Sequence, residues 1–202
     1  MACEDGGMIL VRPAESHLPG YRAALERQWS PNNMDPDAWR AELERLEADP
    51  VAFLASQEDR EGAGEPITLP DGTLVPRLPG FRRWVWDGDF AGVISIRWQR
   101  GTPALPPHVL GHVGYSVVPW KRRRGYATAA LAELLAEVQD LGLPYLELTT
   151  DVDNIASQKA ITTNGGVLIE RFDKPAVYGA QSPSLRWRIA LESREPPRLP
   201  TP

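Results

Sequence analysis

Cysteine is nearly absent from this chain: Cys3 is the only one in 202 residues. A single thiol excludes an intrachain disulfide and a thiolate metal cluster, and it fits a reducing compartment. Long apolar runs are missing too. Met8–Val11 is too short for the core of a secretion signal and the residues before it are acidic rather than basic. Nothing approaches the roughly 20 apolar residues that span a bilayer. A cytoplasmic location and no membrane partner are the expectations. Positive charge is not in excess either, since 22 basic residues face 27 acidic ones for a net charge of −5. Long-range attraction to nucleic acid is therefore not expected, and any anion has to be gripped locally. There is no internal repeat.

What is present reads as one globular domain. Hydrophobic residues make up 42% and charged residues 24%, and the length suits a single core. The domain is expected over residues 8–191, with disordered ends at 1–7 and in the Pro-rich stretch 192–202. Met8–Val11 reads as a first strand. Helices are predicted around Tyr21–Gln28 and over Pro36–Ala48. In the second, Asp35 is positioned to cap, and Trp39, Leu43 and Leu46 recur at helical spacing. Pro50 ends it, and Val51–Ser56 reads as a strand. Residues 58–79 form a surface excursion rich in Gly, Pro and charge, in which the Asp-Gly turn of Ile67–Val75 suits a small hairpin. Phe81–Trp86 and Phe90–Trp98 are strands joined at Asp87-Gly88-Asp89, and His112–Val118 alternates as a further strand after a Pro-rich loop. From Gly125 the pattern turns helical, with Ala127, Leu131, Leu134, Leu135, Val138 and Leu141 on one stripe, until Gly142 and Pro144 stop it. Tyr145–Thr150 is a strand and Ile155–Thr163 a helix ending in Asn164-Gly165-Gly166. Val167–Phe172 and Leu185–Leu191 read as a closing antiparallel pair.

The densest basic run of this acidic chain, Lys121–Arg124, lies between a strand and a helix and is followed by Gly125. The first N–H groups of a helix lack internal partners and sit at the positive end of the aligned peptide dipoles, so the place suits a pyrophosphate. Gly125 lets the backbone approach, Ala127 and Thr128 keep the first turn small, and Arg122, Arg123 and Arg124 can add charge-assisted hydrogen bonds. Two other readings compete for the run taken alone. One is a solvated loop before a surface helix. The other is a dinucleotide-binding turn with Glu147 as its acidic partner, but that fingerprint needs three glycines where this turn has one.

The stretch from Val117 to Ala127, Val-Val-Pro-Trp-Lys-Arg-Arg-Arg-Gly-Tyr-Ala, resembles the acetyl-CoA-binding motif of the Gcn5-related N-acetyltransferase (GNAT) family. That motif runs Arg or Gln, two residues, Gly, one residue, then Gly or Ala, and Arg122, Gly125 and Ala127 fill its places. Residues Asp153 to Gly166 resemble the second motif, an Asn at a strand end before a helix flanking the coenzyme, with Asn154, Ser157 and Asn164-Gly165-Gly166 matching. Ile94–Arg97 and Gly111–Ser116 further resemble a bacterial branch of the family. The resemblance runs from Met8 to about Leu191. It implies an α+β, three-layer fold with a mixed, mostly antiparallel central sheet flanked by helices and a splay between the fourth and fifth core strands. It also implies acetyl-CoA as donor, held by Val117, Val118, Arg122, Arg123, Arg124, Gly125, Tyr126, Ala127, Thr128, Asn154 and Ser157, with pantetheine against the backbone of Val117 and Val118. No metal is implied. The acceptor is expected to be a primary amine of a small molecule or peptide that attacks the thioester directly.

An alkylamine of pKa about 10.4 is protonated at neutral pH, and freeing its lone pair costs roughly 4–5 kcal/mol. A base or a water relay is therefore expected. His112 stands near the start of the central strand, where many members of the family carry Glu, and its ordinary pKa suits a base. Its competing reading is a hydrogen-bonded structural residue. Asp151 is the alternative base, Asp153 reads as a helix cap, and His108 reads as solvated. Arg97 can grip a substrate carboxylate or simply face solvent. The family frequently carries a Tyr on the second-motif helix to protonate the departing thiolate; Ile161 stands in that place here, with Tyr115 and Tyr178 as substitutes. That departure keeps a second function in view, a non-catalytic acyl-CoA-binding or regulatory module. A homodimer through the terminal strands is compatible with the sequence, and the identity of the amine is left open.

Overall fold

The structure, a computed structural model, describes residues 7–178 and 183–191. Cys3 and the Pro-rich end, expected to be disordered, lie outside the described residues. The chain opens with β1 (Ile9–Val11), followed by α1 (Leu18–Glu26), α2 (Ala38–Ala48) and α3 (Pro50–Ala55). α2 starts at Ala38 with Asp37 rather than Asp35 at its cap, and the Asp37 side chain makes no capping bond. Asp35 instead accepts the Asp37 N–H at 2.9 Å.

Val51–Ser56, expected to be a strand, is helical. Asp49 is extended and its carboxylate accepts the Ala52 N–H at 2.9 Å, while Pro50 occupies the first helical position. There the missing N–H is no loss and the fixed φ is already helical. Pro50 thus starts a new helix as well as ending α2. An apolar run this short carries no periodicity to separate a strand from a buried helical turn.

β2 (Glu58–Asp59) follows, then the small hairpin β3 (Ile67–Thr68) and β4 (Leu74–Val75), paired as the Asp-Gly turn predicts. β5 (Gly80–Trp86), β6 (Phe90–Arg97) and β7 (Val113–Val117) form an antiparallel sheet in the order β1-β5-β6-β7, with β2 also on β5. Ser95 stands opposite Gly114 and Ile94 opposite Tyr115. After α4 (Tyr126–Glu137) come β8 (Tyr145–Asp151), α5 (Ile155–Thr163), β9 (Val167–Asp173) and β10 (Pro183–Ala190). The last strands make a second antiparallel sheet in the order β8-β10-β9. No helix among the described residues is long and apolar enough to cross a membrane.

Both faces of the β5–β6 hairpin are buried, which sets the layering. On one face Trp84, Phe90 and Val93 pack under the N-terminal helices with Tyr21, Leu25, Leu46 and Phe53, and the Tyr21 and Trp84 rings stack at 4.4 Å. On the other, Ile94 and Ile96 meet Ala130, Leu131 and Leu134 of α4, and this core continues to Leu146, Leu148, Trp187 and Ile189 of the second sheet. Each fully buried side chain of this size contributes about 1.5–3 kcal/mol of transfer free energy.

β7 and β8 meet only where they begin. The His112 N–H donates to the Glu147 carbonyl at 2.7 Å, and the Thr149 hydroxyl to the Leu110 carbonyl at 2.5 Å. Gly111 permits this approach, because a Cβ there would lie 2.9 Å from the Glu147 carbonyl oxygen. Further along, the two strands belong to separate sheets, and a wedge opens between them.

Trp84→Ala, which removes the ring stacked on Tyr21, is expected to cost about 3–5 kcal/mol. A urea unfolding midpoint close to that of the parent protein would contradict this account of the core.

Candidate active site

The loop before α4 is built from main-chain geometry. Pro119–Lys121 make a 3-10 turn, and Arg123 and Gly125 are left-handed at φ 64 and 81. A Cβ at Gly125 would meet nothing within 4 Å, so glycine serves the backbone angle and leaves the loop open above. The first paired amide of the helix is Ala129, which donates to the Gly125 carbonyl at 3.0 Å. The N–H groups of Gly125, Tyr126, Ala127 and Thr128 have no acceptor among the described residues. Arg122, Arg123 and Arg124 are exposed beside them. The Arg122 Nε donates to the Val117 carbonyl at 3.1 Å, and Arg123 and Arg124 have no ion-pair partner among the described residues. A diphosphate fits such a set of donors.

Two side chains of the loop, Lys121 and Tyr126, turn away from solvent. The Lys121 ammonium turns inward to the Asp87 carboxylate at 2.6 Å, and the Tyr126 hydroxyl donates to the other oxygen of Asp87 at 2.5 Å. Burial alone would raise the Asp87 carboxyl, but these two donors outweigh it and hold the group below the usual range. Lys121 and the Tyr126 ring are thus struts that fix the loop to the β5–β6 turn; only the main chain of Tyr126 is free for a ligand. Val118 is also turned away. Its N–H donates to Ala91 and its carbonyl accepts from Lys121, both at 3.0 Å. An antiparallel ladder alternates, so the main-chain groups of Val117 face the wedge instead.

On the far side, the Asn154 side chain caps α5 by accepting the Ser157 N–H at 3.1 Å. Asn164 donates to the Thr128 carbonyl at 3.0 Å and to the Ala160 carbonyl at 2.8 Å, tying α5 to the first turn of α4. Trp120 is partly exposed, with the Arg27 guanidinium 4.2 Å over its ring.

The wedge opens into a cleft of about 950 Å³ that reaches from Asn154, Ser157 and Ile161 of α5 to Arg97, His108 and Asp151. His112 does not line it. Its ring is 0% exposed, and Nδ1 accepts the Glu147 N–H at 2.9 Å, doing the work of a main-chain carbonyl where the strands meet. Nε2 makes no well-formed hydrogen bond, although the Pro103 carbonyl lies close enough to favour a proton there. Burial pushes the imidazole from its ordinary 6.5 down to about 4, despite the Glu147 carboxylate nearby. These contacts correct the reading of His112 as the base and support its structural reading. Asp151 does line the cleft, ion-paired to Lys174 at 2.5 Å. His108, read from sequence as solvated, lines the cleft as well, its carbonyl held by the Tyr178 hydroxyl. No periodic pattern in a Pro-rich loop could have pointed to it.

Arg97 reaches into the same cleft. Its Nη1 donates to the Gly111 carbonyl at 3.3 Å and its Nη2 to the Ser95 hydroxyl at 3.1 Å. Ile161 is 1% exposed and offers no proton. One turn earlier on α5, the Ser157 carbonyl accepts the Tyr115 hydroxyl at 3.4 Å, and burial raises the pKa of that phenol.

Residues 8–167 match the acetyltransferase (GNAT) domain family. Among solved structures, the chain is similar to the microcin self-immunity acetyltransferase MccE in complex with acetyl-CoA and AMP. The two are 13% identical with a TM-score of 0.58, over 91% of this chain and 92% of that one. It is also similar to RimL, a ribosomal α-N-protein acetyltransferase in complex with coenzyme A, at 14% identity and a TM-score of 0.60, over 92% and 95% of the two chains. A Salmonella typhimurium acetyltransferase that modifies the N-terminal serine of a 50S ribosomal subunit protein gives 14% identity and 0.58, over the same shares of 92% and 95%. At these identities the likeness concerns the fold, and no curated protein sequence matches significantly.

Two outcomes are expected from this geometry. The His112 imidazole should show no titration near pH 6.5 by proton NMR. Because its folded pKa lies below the unfolded one, it stabilises the fold above pH 6.5 by on the order of 3 kcal/mol, lost as pH falls toward 4; His112→Leu should lose that part of the pH dependence. Asp87→Asn should lower stability at pH 7 by roughly 1–3 kcal/mol. Since the Asp87 pKa is depressed on folding, its contribution is present above the unfolded value and is lost as pH falls through the depressed folded one, so the gap between parent and variant should close on acidification in chemical unfolding.

Proposed function

Because the chain belongs to the acetyltransferase (GNAT) domain family, we propose that it is an N-acetyltransferase, moving the acetyl group of acetyl-CoA to a primary amine by direct attack on the thioester. The observation that carries this reading is the row of four unpaired amides, Gly125 to Thr128, flanked by exposed arginines and followed by a wedge between β7 and β8. Those amides, with Arg122, Arg123 and Arg124, bind the diphosphate. The main chain of Val117 meets the pantetheine, and Asn154 and Ser157 flank it from α5. The protein acts in the cytoplasm.

In the cleft, the amine first gives up a proton, then its nitrogen bonds to the thioester carbon. The tetrahedral intermediate collapses with cleavage of the carbon–sulfur bond and loss of the second proton from nitrogen, leaving the amide and the thiolate of CoA; that second proton, passed through water, replaces the one the sulfur takes up. His108 is the side chain we assign to the first proton, directly or through one water, because its imidazole lines the cleft and can accept one. Asp151 is a weaker choice, since its carboxylate is paired with Lys174. Tyr115 supplies the proton to the leaving sulfur. Its hydroxyl reaches α5 from the strand side, one turn from Ile161 where a tyrosine is missing, and burial keeps it protonated.

Calorimetry with CoA and a free-thiol assay with acetyl-CoA and an amine panel test the reading. Binding together with thiol release supports it. Binding without turnover against every amine points to an acyl-CoA-binding module, and no binding removes both. His108→Ala is expected to lower kcat by roughly 100-fold or more. Tyr115→Phe should lower kcat about tenfold or more. Both variants should bind CoA as the parent does; weakened binding would mean that the residue acts on the coenzyme instead.

A further inference from the structure

A cation drawn out of bulk water without a counter-ion is costly, and folded proteins match such groups with carboxylates. The other arginines rooted in the sheets and sheltered from solvent follow this rule, Arg171 being exposed on β9. Arg82 meets Glu42 at 3.2 Å, Arg83 meets Glu58 at 3.3 Å, Arg186 meets Glu147 at 3.2 Å and Arg188 meets Glu147 at 2.7 Å. Arg97 has no carboxylate partner among the described residues. Its acceptors among those residues are the Gly111 carbonyl and the Ser95 hydroxyl, which use two of its five donors. Burial and the positive charge of Arg82 both work against its charged form, yet a guanidinium does not shed its proton in a protein.

The acids around the cleft are already engaged. Glu42 serves Arg82 and Tyr21, Asp151 serves Lys174, Asp59 accepts the N–H groups of Ala63 and Gly64, and Asp35 accepts that of Asp37. Arg45 and Arg77 line the cleft as well, but Arg45 is exposed to solvent and Arg77 lies near enough to the Asp59 carboxylate to lower its pKa; the sheltered positive charge without a carboxylate is that of Arg97.

The coenzyme's phosphates are too far away to be the missing anion. Their loop is strapped to Asp87, beside the start of β6, whereas Arg97 ends that strand seven steps on from Phe90, roughly 23 Å along an extended chain. Arg97 also shares its face with Ser95 and Gly114, the face on which Trp84 and Val93 pack under the N-terminal helices, while Tyr115 points to the α5 side. The anion thus enters with the acceptor.

We propose that the amine acetylated in this cleft carries a carboxylate, and that Arg97, steadied by Ser95 and the Gly111 carbonyl, is the residue that seats it. The planar fork suits two-point binding of a carboxylate better than a lysine would. The proposal rests on the acetyltransfer reading of the same cleft and narrows its acceptor to amino acids or to peptide N-termini with a nearby acidic side chain.

The test uses reaction-product analogues on the full chain saturated with CoA. N-acetylglycine carries an α-carboxylate, N-acetylaspartyl amide a side-chain carboxylate, and N-acetylglycinamide neither. The Nε–Hε resonance of Arg97 is read by nitrogen–proton NMR and assigned by its loss in Arg97→Gln. A saturable shift with a carboxylate ligand and none with the amide is expected, and the tighter of the two acids identifies the source. Affinity by calorimetry should fall roughly 30-fold or more in Arg97→Gln and less in Arg97→Lys, with CoA binding unchanged in both. Equal responses to acid and amide, no response to either acid, or undiminished affinity in Arg97→Gln would overturn the proposal while leaving acetyltransfer standing. Failure of CoA itself to bind would instead remove the acetyltransfer reading and this proposal with it.

Discussion

The junction of β7 with β8 controls everything around the cleft. Two strands that paired along their length would make one closed sheet with no room for a substrate. Here they touch at His112 and Glu147 and then part. The imidazole accepts an amide that a regular ladder would give to a carbonyl, and the His112 carbonyl is thereby free to take the Arg97 N–H at 2.9 Å. One side chain therefore seals the end of the wedge while keeping β6 and β7 in register. A charged imidazole could not accept that amide, so the seal requires the neutral ring that burial enforces.

Charge is managed locally, as an acidic chain that binds an anion must manage it. Asp87 draws Lys121 and Tyr126 inward and so orients the loop whose arginines remain outside. Had Lys121 stayed in solvent, the loop would carry more positive charge and less order. The second positive feature, Arg97, lies at the other end of the same strand and on the opposite side of the thioester's expected path. β6 thus connects the two sites proposed for anions, one for the donor's phosphates and one for the acceptor.

The likeness to MccE, RimL and the Salmonella protein covers most of each chain at 13% to 14% identity. Such a fold tolerates different chemistry on its acceptor face. In this chain that face is built from α1, α2 and their connection, where Trp29 donates to the Ser116 hydroxyl at 3.2 Å and Asn33 to the Tyr115 carbonyl at 2.7 Å. These contacts position β7 from the acceptor side much as Asn164 positions α4 from the coenzyme side.

The family, the order of elements and the glycine turn before α4 were legible in the residues, because helix periodicity, an Asp-Gly turn and a glycine before a helix are local signals that neighbours in sequence create by themselves. The bounds of α5 and the β3–β4 hairpin followed from such signals. Val51–Ser56 did not, since an aspartate cap and a proline start overrode an apolar run too short to show a period. The roles of single polar residues needed the tertiary structure. His112, the Tyr126 hydroxyl and Val118 looked available until the partners Glu147, Asp87 and Ala91, distant in sequence, were seen to occupy them. His108 and Arg97 were found lining the cleft for the converse reason. A side chain's freedom to bind or transfer a proton depends on which groups the fold brings within hydrogen-bonding distance, and that information is not contained in the residue or its immediate neighbours.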